Sequence, residues 1–342
     1  MNKVTLKSLA KALELSVSTV SKALNDSYEI SESTKVRVRE YADKLDYQPN
    51  IIAQHLKTGK TNTIGVIIPK MSNPFAAQII EGIQKEVVSH NYHMVIMQSM
   101  ENEAIEKAAI QGLLNKGVDG LLFCPISETS NIELVSRAHK NTPIVLFDRT
   151  NYQLPTHKVG VLNADGVYQA CKQLFELNRK RIAIICGRHQ GITKERLHGY
   201  QLAHKNHQIP VVEEYLIYCK VDNLADLDLD LEQQLDKLLA LPNPPDAVIG
   251  VTDTITTHLL GVLSKMAIVV PEKLAVIGFA NTELAFALNP SLSTIKQPAE
   301  EIGVQSVRKL LHIINSKNRS QIEWEDLKLP TQIQLRNSTA VS

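Results

Sequence analysis

Residues 4–25 have the sequence VTLKSLAKALELSVSTVSKALN, which has the pattern of two short helices. Apolar residues in its first half recur at the spacing of a single helix face, namely Leu6, Leu9, Ala10 and Leu13. Glu14 and Leu15 leave room only for a tight turn, and Ser16 can then serve as the N-cap of a second helix. The pattern therefore predicts two short helices joined by a turn.

The second predicted helix has two different sides. Its apolar side carries Val20, Ala23 and Leu24. Its open side carries small, polar or cationic residues: Val17, Ser18, Ser21 and Lys22. Small side chains allow a helix to lie deep in the major groove of DNA, and a lysine can reach guanine O6 and N7 or a phosphate. The helix pair is therefore interpreted as a helix-turn-helix DNA reader, with a helical hairpin of an unrelated protein as the alternative.

A third helix is predicted to open at Ser31, which can cap it. Its apolar face should pack on the first two helices and consists of Val38, Tyr41, Ala42 and Leu45. Pro49 ends this unit, and Asn50 can cap a short segment over residues 51–57. Because two turns of helix are unstable alone in water, this segment is expected to form only against DNA or a partner subunit.

From Ile64 onward, apolar runs of strand length alternate with amphipathic helical segments. The predicted strands are Ile64–Ile68, His93–Met97, Gly120–Cys124, Ile144–Phe147, Val159–Leu162, Ile182–Cys186, Tyr215–Lys220, Ala247–Val251 and Leu274–Phe279. Continuous apolar strands of this kind are buried on both faces and belong to parallel α/β sheets. These strands are too many for one comfortable sheet, so two lobes are expected.

The composition of the 342-residue chain is that of a soluble globular protein, with 44% hydrophobic and 21% charged residues. Residues 1–60 hold ten lysines and arginines against seven acidic residues, a net charge of +3, while the remainder holds 27 against 29. This weak asymmetry fits a DNA-binding head on a neutral body. No signal-peptide run and no 18-residue apolar stretch occurs, so a cytoplasmic protein is expected.

Motifs for enzymes and cofactors are missing from the sequence. Its four cysteines are Cys124, Cys171, Cys186 and Cys219. They form no CxxC pair and have no histidine cluster nearby, so we expect core residues in a reducing compartment and no metal site. The segment Gly59–Thr61 fails as a phosphate-binding loop because Gln54 stands where that motif requires glycine. The sequence therefore predicts neither a cofactor nor an enzymatic activity.

Three N-terminal segments resemble the headpiece of the lactose-repressor (LacI/GalR) family of bacterial transcription regulators: Val4–Leu6, Ser16–Asn25 and Tyr47–Asn50. Similar matches continue through the chain at Ser72–Phe75, Val118–Leu122, Pro143–Arg149, Arg179–Ile185, Arg196–Tyr200, Val270–Glu272, Val276–Phe279, Ser291–Pro298 and Arg336–Thr339. The resemblance implies a helix-turn-helix headpiece over 1–48, a hinge over 49–60 and an effector-binding core over 61–342. That core is expected to resemble a periplasmic binding protein of two doubly wound lobes, with the effector between them.

The resemblance also implies where each lobe begins and ends. The N-lobe is expected over about 61–160 and 291–322, and the C-lobe over about 161–290 and 323–342. The three crossovers between the lobes are expected near 158–162, 288–293 and 320–325.

The same resemblance assigns contacts with DNA. The residues expected to contact bases are Val17, Ser18 and Lys22. Further DNA contacts are expected from Thr5, Leu6, Ser16, Thr19, Ser21, Asn25, Ser31 and Thr34. In the hinge, Asn50 caps the helix, Ala53 lets two hinge helices approach, and Leu56 is expected to wedge between base steps in the minor groove.

Ligands of open α/β sheets bind outside the carboxyl ends of the strands. Loops at those ends can hold a polyol with carboxylates, amides and arginines, over an aromatic ring. The effector candidates are Asn73, Phe75, Asp148, Arg149, Arg196, Thr252, Asp253 and Asn281. Arg196 matches the effector-contacting arginine of the family, with a structural salt bridge as the alternative. Asp253 can equally cap a helix that starts at Thr254, and Phe75 can equally be a core residue.

Three positions depart from the pattern of the family. Ala280 stands where an aspartate is common, Leu162 stands before Asn163 where an aspartate is frequent, and Glu14 occupies a turn position where glycine is common. The first two changes remove carboxylates that would hold a sugar. An unusual, phosphorylated or otherwise anionic sugar, or no effector at all, therefore stays open, and Arg149 together with Arg196 favours an anion.

The sequence therefore predicts a repressor of carbohydrate-use genes whose operator affinity is switched by a small sugar or sugar-phosphate effector through lobe closure. A homodimer is expected on the nucleoid, because each half-site takes one headpiece and no leucine heptad builds a larger assembly. One alternative is a DNA-binding regulator with a degenerate effector site that responds to another partner. A solute-binding protein is opposed by the headpiece and by the missing signal peptide.

Overall fold

The computed structural model describes residues 4–47, 59–187, 190–219 and 224–339. The predicted hinge residues Asn50, Ala53 and Leu56 lie outside these ranges. The chain divides into two compact units, a small one over Met1–Thr61 and a large one over Asn62–Ser342.

Within its described residues, the small unit has three helices: α1 (Leu6–Leu13), α2 (Val17–Leu24) and α3 (Glu32–Lys44). Thr5 caps α1 in a capping box. Its hydroxyl accepts from Ser8 N–H at 3.1 Å, and Ser8 Oγ accepts from Thr5 N–H at 2.9 Å. The predicted N-cap of α2 is confirmed, since Ser16 Oγ accepts from Thr19 N–H at 3.0 Å. Both helices thus begin where a hydroxyl satisfies a free backbone N–H.

The core of the small unit draws on all three helices. Its buried apolar residues are Leu9, Ala10, Leu13, Val20, Ala23, Val38 and Ala42. Two predictions for α3 were wrong. Leu45 is 38% exposed, because α3 ends at Lys44 and the chain changes direction at Asp46, where φ is +47°. Ser31 occupies the N-cap position, but its hydroxyl bonds Thr34 Oγ1 at 2.8 Å and caps no backbone N–H.

The large unit is an α/β structure in which strands and helices alternate. In chain order its strands and helices are β1 (Thr63–Ile68), α4 (Pro74–Ser89), β2 (His93–Gln98), α5 (Glu103–Asn115), β3 (Gly120–Phe123), α6 (Ile132–His139), β4 (Ile144–Phe147), β5 (Lys158–Val161), α7 (Asn163–Glu176), β6 (Ile182–Gly187), α8 (Gln190–Asn206), β7 (Leu216–Cys219), α9 (Leu224–Leu239), β8 (Ala247–Gly250), α10 (Asp253–Lys265), β9 (Ala275–Phe279), β10 (Ser293–Lys296), α11 (Ala299–Asn315), β11 (Asp326–Leu329) and β12 (Gln332–Gln334). Short 3-10 turns lie at Glu213–Tyr215, Glu283–Phe286 and Arg319–Gln321. The predicted strands are present, with ends shifted by no more than one residue among those described.

The strands form two sheets, one in each lobe. The N-lobe sheet has the order β11-β5-β4-β3-β1-β2 and is parallel. The C-lobe sheet has the order β12-β10-β9-β8-β6-β7 and is parallel except for β12, which runs antiparallel to β10. The carboxyl ends of the parallel strands are where loops can form a ligand site.

The structure corrects the predicted positions of two crossovers. The second lies at residues 297–298 instead of 288–293, because β10 pairs with β9 in the C-lobe sheet. The third lies at 330–331 instead of 320–325, because β11 pairs with β5 in the N-lobe before β12 joins the C-lobe. The first crossover lies at Leu162, between β5 and α7. The final strands were missed by sequence because they are short and only partly buried.

In the N-lobe, α4 and α11 pack with almost no space between their backbones. A Cβ on Gly82 would lie 2.1 Å from the Glu300 carbonyl oxygen, and one on Gly303 would lie 2.3 Å from that of Ile79. This close approach fixes α4 beside the second crossover. Both glycines are therefore needed for packing.

The four cysteines are buried, as predicted for most of them, and the described residues contain no disulfide. Within the ranges that the structure covers, no helix is long and apolar enough to cross a membrane. The same ranges contain no group of three or more His, Cys, Asp or Glu side chains that could hold a metal ion.

Candidate nucleic-acid interface and effector cleft

The open side of α2 is accessible in the small unit. Val17 is 44% exposed, and Ser18 is exposed beside it. Ser21 and Lys22 are half-buried, and the Lys22 ammonium pairs with the carboxylate of Glu29. An exposed helix face of small side chains and one cation can contact base edges in a major groove. Base contact by these residues stays a prediction.

Several other predicted DNA contacts also serve the fold. Thr5 and Ser16 are helix caps, and Asn25 Nδ2 donates to the Ser21 carbonyl at 2.8 Å. Leu6 packs against the apolar core of the small unit. A hydroxyl has one O–H and two lone pairs, so a capping role leaves it able to bond a phosphate. In exposure, these predicted contacts divide into exposed residues (Thr5, Ser16, Asn25, Ser31) and half-buried ones (Leu6, Thr19, Ser21, Thr34).

The turn between α1 and α2 explains why glycine suits position 14. Glu14 has φ of 56° and ψ of 36°, in the left-handed region. Glycine adopts this conformation freely, whereas a side chain costs roughly 1–2 kcal/mol there. The turn of this chain is therefore strained at Glu14.

Arg196, the candidate arginine of the proposed effector cleft, lies on α8 and is 4% exposed. Its Nε donates to Asn163 Oδ1 at 2.9 Å, and its Nη2 donates to Gln297 Oε1 at 3.0 Å. Its Nη1 donates to the carbonyl of Val251, and its guanidinium carbon lies 3.5 Å from the ring centroid of Phe279. Burial lowers its pKa to about 10, which leaves it charged at neutral pH. The guanidinium is thus held by neutral acceptors and an aromatic face.

Asn281, in the loop after β9, joins the two lobes and is 2% exposed. Its side-chain Nδ2 donates to Gln78 Oε1 at 2.8 Å, and its backbone carbonyl accepts from Gln78 Nε2 at 3.0 Å. Gln78 lies on α4 of the N-lobe, whereas Asn281 belongs to the C-lobe. The same amide also bonds the crossover, since Nδ2 donates to the Gln297 carbonyl at 2.8 Å and Oδ1 accepts from Gln297 N–H at 3.0 Å.

These contacts form one continuous set of hydrogen bonds, which we call the interlobe network: Gln78, Asn281, Gln297, Arg196 and Asn163. It runs from α4 of the N-lobe through the second crossover to α8 of the C-lobe. Buried polar groups are costly unless they are paired, and each of these has partners. The network therefore holds the two lobes in one arrangement relative to each other.

Arg149 is not free to bind an anion. Its Nη1 and Nη2 donate to the two carboxylate oxygens of Glu101 at 2.9 and 2.6 Å. Its Nη1 also donates to the carbonyls of Pro125 and Ile126, at 3.3 and 3.0 Å. Glu101 therefore neutralises Arg149, which weakens the argument that Arg149 and Arg196 favour an anion, and the charge of the effector stays a prediction.

Asp148 is the candidate carboxylate at the end of β4. It is half-buried, and its φ is +59°. Its only hydrogen-bond donor from a side chain, among those that the described residues supply, is the Cys124 thiol at 3.7 Å. Burial raises its pKa, while the charges of Arg149 and Arg196 oppose that rise. A weakly satisfied carboxylate of this kind can accept from ligand hydroxyls.

Two candidates in the first loop have structural roles. Asn73 is the N-cap of α4, and its Oδ1 accepts from Phe75 N–H at 2.8 Å. Phe75 is 8% exposed and packs in the N-lobe core. The alternative that Phe75 is a core residue is thus confirmed, and its contact with an effector stays a prediction.

The loop after β8 supplies the other candidates. Thr252 caps α10, since its Oγ1 accepts from Ile255 N–H at 3.2 Å. The alternative that Asp253 is the cap is wrong, because α10 already begins at Asp253. Instead, Asp253 Oδ2 accepts from Asn281 N–H at 2.6 Å. Burial raises the pKa of Asp253, and that hydrogen bond opposes the rise.

Sequence reasoning missed Gln78 and Gln297 as members of the interlobe network, and Phe279 as the ring beneath Arg196. Gln297 and Phe279 lie in segments that carried the family resemblance, so their positions held a signal. Gln78 looked like an ordinary polar residue of an amphipathic helix. Only its contact with Asn281, 203 residues away in the chain, reveals its role.

Comparison with known proteins agrees with this architecture. Residues 5–50 match the domain described as bacterial regulatory proteins, lacI family, and residues 171–339 match a periplasmic binding protein-like domain. A probable HTH-type transcriptional regulator, EndR, of Paenibacillus polymyxa is 30% identical over 329 residues, which is 94% of each chain.

Two solved structures share the fold over nearly the whole chain. The lac repressor dimer bound to operator and the anti-inducer ONPF has a TM-score of 0.86 and 23% identity, and the match covers 99% of this chain and 100% of that one. A complex of the transcriptional regulator CelR with cellobiose has a TM-score of 0.71 and 24% identity, covering 98% and 100%.

A helix-turn-helix unit followed by a two-lobed binding-protein core defines a DNA-binding transcriptional regulator. The chain belongs to the lacI family of bacterial regulatory proteins.

Proposed function

We propose that the chain is a repressor whose affinity for operator DNA is switched by a small sugar-like effector in the interlobe cleft. The headpiece contacts base edges through Val17, Ser18 and Lys22, and the hinge over 49–60 inserts Leu56 into the minor groove. The repressor acts on nucleoid DNA in the cytoplasm, on carbohydrate-use genes, without catalysing a reaction.

The observation that carries this proposal is the interlobe network. An effector that bonds Arg196 or Asn281 competes for the same donors and acceptors that connect the two lobes. Such a ligand has a different affinity for each lobe arrangement, which is the requirement for shifting between them. The lobe movement is then passed to the hinges and changes the affinity for DNA.

The cleft suits the hydroxyls of a neutral sugar. Asp148 can accept from a hydroxyl, and Arg196 can donate to one. The related fold of CelR holds cellobiose, which supports a carbohydrate ligand. A sugar phosphate is the weaker choice, because Glu101 already occupies Arg149.

A homodimer is supported by the exposed apolar side chains of the C-lobe. Leu284 and Phe286 lie in one 3-10 turn and are 63% and 73% exposed. Two neighbouring exposed apolar side chains can contribute to a surface that a second copy of the chain covers. The lac repressor of similar fold is a dimer on its operator, and a twofold dimer would recognise a near-palindromic site.

A second candidate is a regulator whose effector site has decayed. Ala280 is 2% exposed and Leu162 is 41% exposed, at the two positions where the family carries acids. In addition, the polar groups of Asn281 and the three nitrogens of Arg196 already have partners within the protein. Such a regulator would respond to another partner, or to DNA alone.

The test is selection of duplexes from a random DNA library by the purified full chain, with and without a panel of sugars and sugar phosphates. Enrichment of a near-palindrome that a neutral sugar alters is the expected result. Enrichment that no ligand alters would replace the effector-switched repressor by the second candidate. Failure to enrich any sequence would overturn the proposed function.

A further inference from the structure

Lys22, the cation predicted to contact bases, is already engaged within the small unit. Its ammonium pairs with the carboxylate of Glu29, and the two side chains are 44% and 46% exposed. Lys22 lies in the last turn of α2, and Glu29 lies in the loop that leads to α3. An acidic side chain therefore sits beside the open face of the helix proposed to enter the major groove.

The loop that carries Glu29 is held in place at its other end. Asp26 receives hydrogen bonds from Lys35 Nζ at 3.0 Å and from Arg39 Nη2 at 2.6 Å. These bonds, the one from Lys35 first, lower the pKa of the Asp26 carboxyl. Ser27 Oγ also accepts from Glu29 N–H at 3.4 Å. The position of Glu29 beside α2 is thus a property of an ordered loop.

From this geometry we propose that Glu29 is a specificity-determining residue for DNA binding. It occupies the Lys22 ammonium, so that this cation adds little to binding on unspecific DNA. The proposal rests on the proposed function, in which α2 contacts base edges. Glu29 adds to that surface a carboxylate that opposes binding to unspecific DNA.

The physical reason lies in the difference between unspecific and specific contacts. Unspecific binding comes from cations that neutralise phosphates and release counterions. A lysine that keeps its own carboxylate neutralises no phosphate, and Glu29 itself repels the backbone. On the correct base pair, the ammonium still has donors left for guanine O6 and N7 while it keeps one bond to Glu29. Glu29 therefore weakens unspecific binding more than specific binding.

The test replaces Glu29 by its neutral isostere, Glu29→Gln, in the full chain. Binding to a mixed-sequence duplex is measured over about 0.05 to 0.2 M salt, where one additional phosphate contact steepens the log–log slope by about 0.9. At about 0.15 M salt, this change in slope corresponds to unspecific binding by Glu29→Gln that is roughly fivefold tighter per headpiece than that of the unchanged chain. Affinity for the duplex enriched in the library selection should change less, so the specificity ratio should fall.

Glu40→Gln is the matched control, because Glu40 is exposed on α3 and its loss changes the net charge equally. A Lys22→Gln/Glu29→Gln double variant should lose the added slope, since the released ammonium is gone. A surface ion pair contributes little to stability, so these variants should fold, as a thermal melt will show.

The proposal is overturned if Glu29→Gln has the salt slope and unspecific affinity of Glu40→Gln, or if the double variant keeps the gain. These comparisons use only mixed-sequence DNA. They therefore decide whether Glu29 weakens unspecific binding even if the library selection finds no operator and the proposed function fails. The role in specificity is overturned if Glu29→Gln tightens binding to the selected duplex as much as binding to mixed-sequence DNA.

Discussion

Removal of the Gln78 side chain should loosen the lobes. Gln78→Ala deletes two hydrogen bonds, one to the Asn281 carbonyl and one from Asn281 Nδ2. Each such bond contributes about 0.5–1.5 kcal/mol net, so the two together are worth about 1–3 kcal/mol. This corresponds to a rise of about 5- to 150-fold in the ratio of open to closed lobes. Alanine is a good helix former, so α4 should stay intact.

The assay uses a thiol placed where the lobes meet on another side of the cleft. A Cβ on Gly191, at the start of α8, would lie 3.6 Å from the Cβ of Asn151 in the N-lobe. In an Asn151→Cys variant, α8 should shield the new thiol while the lobes are closed. Its rate of modification by a thiol reagent then reports the open fraction, because the four native cysteines are buried. Adding Gln78→Ala to the Asn151→Cys variant should raise the modification rate in proportion to the increase in the open fraction.

Gln169→Ala is the control for this experiment. Gln169 Nε2 donates to Asp165 Oδ1 at 3.1 Å on the exposed surface of α7, so its loss should leave the rate unchanged. The reasoning is refuted if Gln78→Ala behaves like Gln169→Ala. It is refuted equally if the thiol of the parent Asn151→Cys variant already reacts as fast as a free thiol.

Three further predictions concern the turn at Glu14, the buried His157, and the contact between Gly191 and Asn151. Glu14→Gly should remove left-handed strain and raise the free energy of unfolding by about 0.5–1 kcal/mol in denaturant titrations; a loss would contradict the strain. Burial of His157, with the charge of Lys309, lowers its pKa from 6.5 to about 4. The folded state favours neutral His157, so this contribution to the free energy of unfolding is complete above pH 6.5. It is lost as the pH falls toward 4, which lowers the free energy of unfolding by about 1–3 kcal/mol. His157→Gln should flatten that pH dependence in urea titrations at pH 7.5 and 5, whereas the exposed His198→Gln should not. Cysteines at both Gly191 and Asn151 should form a disulfide on mild oxidation, because 3.6 Å between Cβ atoms suits that bond, and the locked chain should lose any effector response in DNA binding.

The features that could be predicted from sequence are those whose causes lie within a few residues. Ser16 caps α2 through Thr19, three positions away, and the apolar periodicity of α1 continues to its end at Leu13. The buried central strands have continuous apolar runs that need no knowledge of their partners. By contrast, β11 and β12 are short and only partly buried, so their pattern carried little information, and the crossovers next to them were misplaced.

The candidate site depended on partners far apart in the chain. Arg149 was predicted to bind an effector, and its guanidinium binds Glu101, which lies 48 residues earlier in the chain. Gln78 and Asn281 are separated by 203 residues. Side-chain type predicts that such groups need partners, but the fold decides which partner each one meets.

The charges around Arg196 bear on which ligand the cleft can hold. Its hydrogen-bond acceptors are neutral. Among nearby carboxylates, the charge of Asp148 has the largest effect on the pKa of Arg196, which it raises. A phosphate would gain from Arg196 but would also meet the negative charge of Asp148. A hydroxyl can donate to the carboxylate and accept from the guanidinium at once, so it satisfies both groups with no added charge. Ala280 and Leu162 stand where the family carries acids, so the proposed effector site has fewer polar contacts, and we still expect it to match a neutral polyol better than an anion.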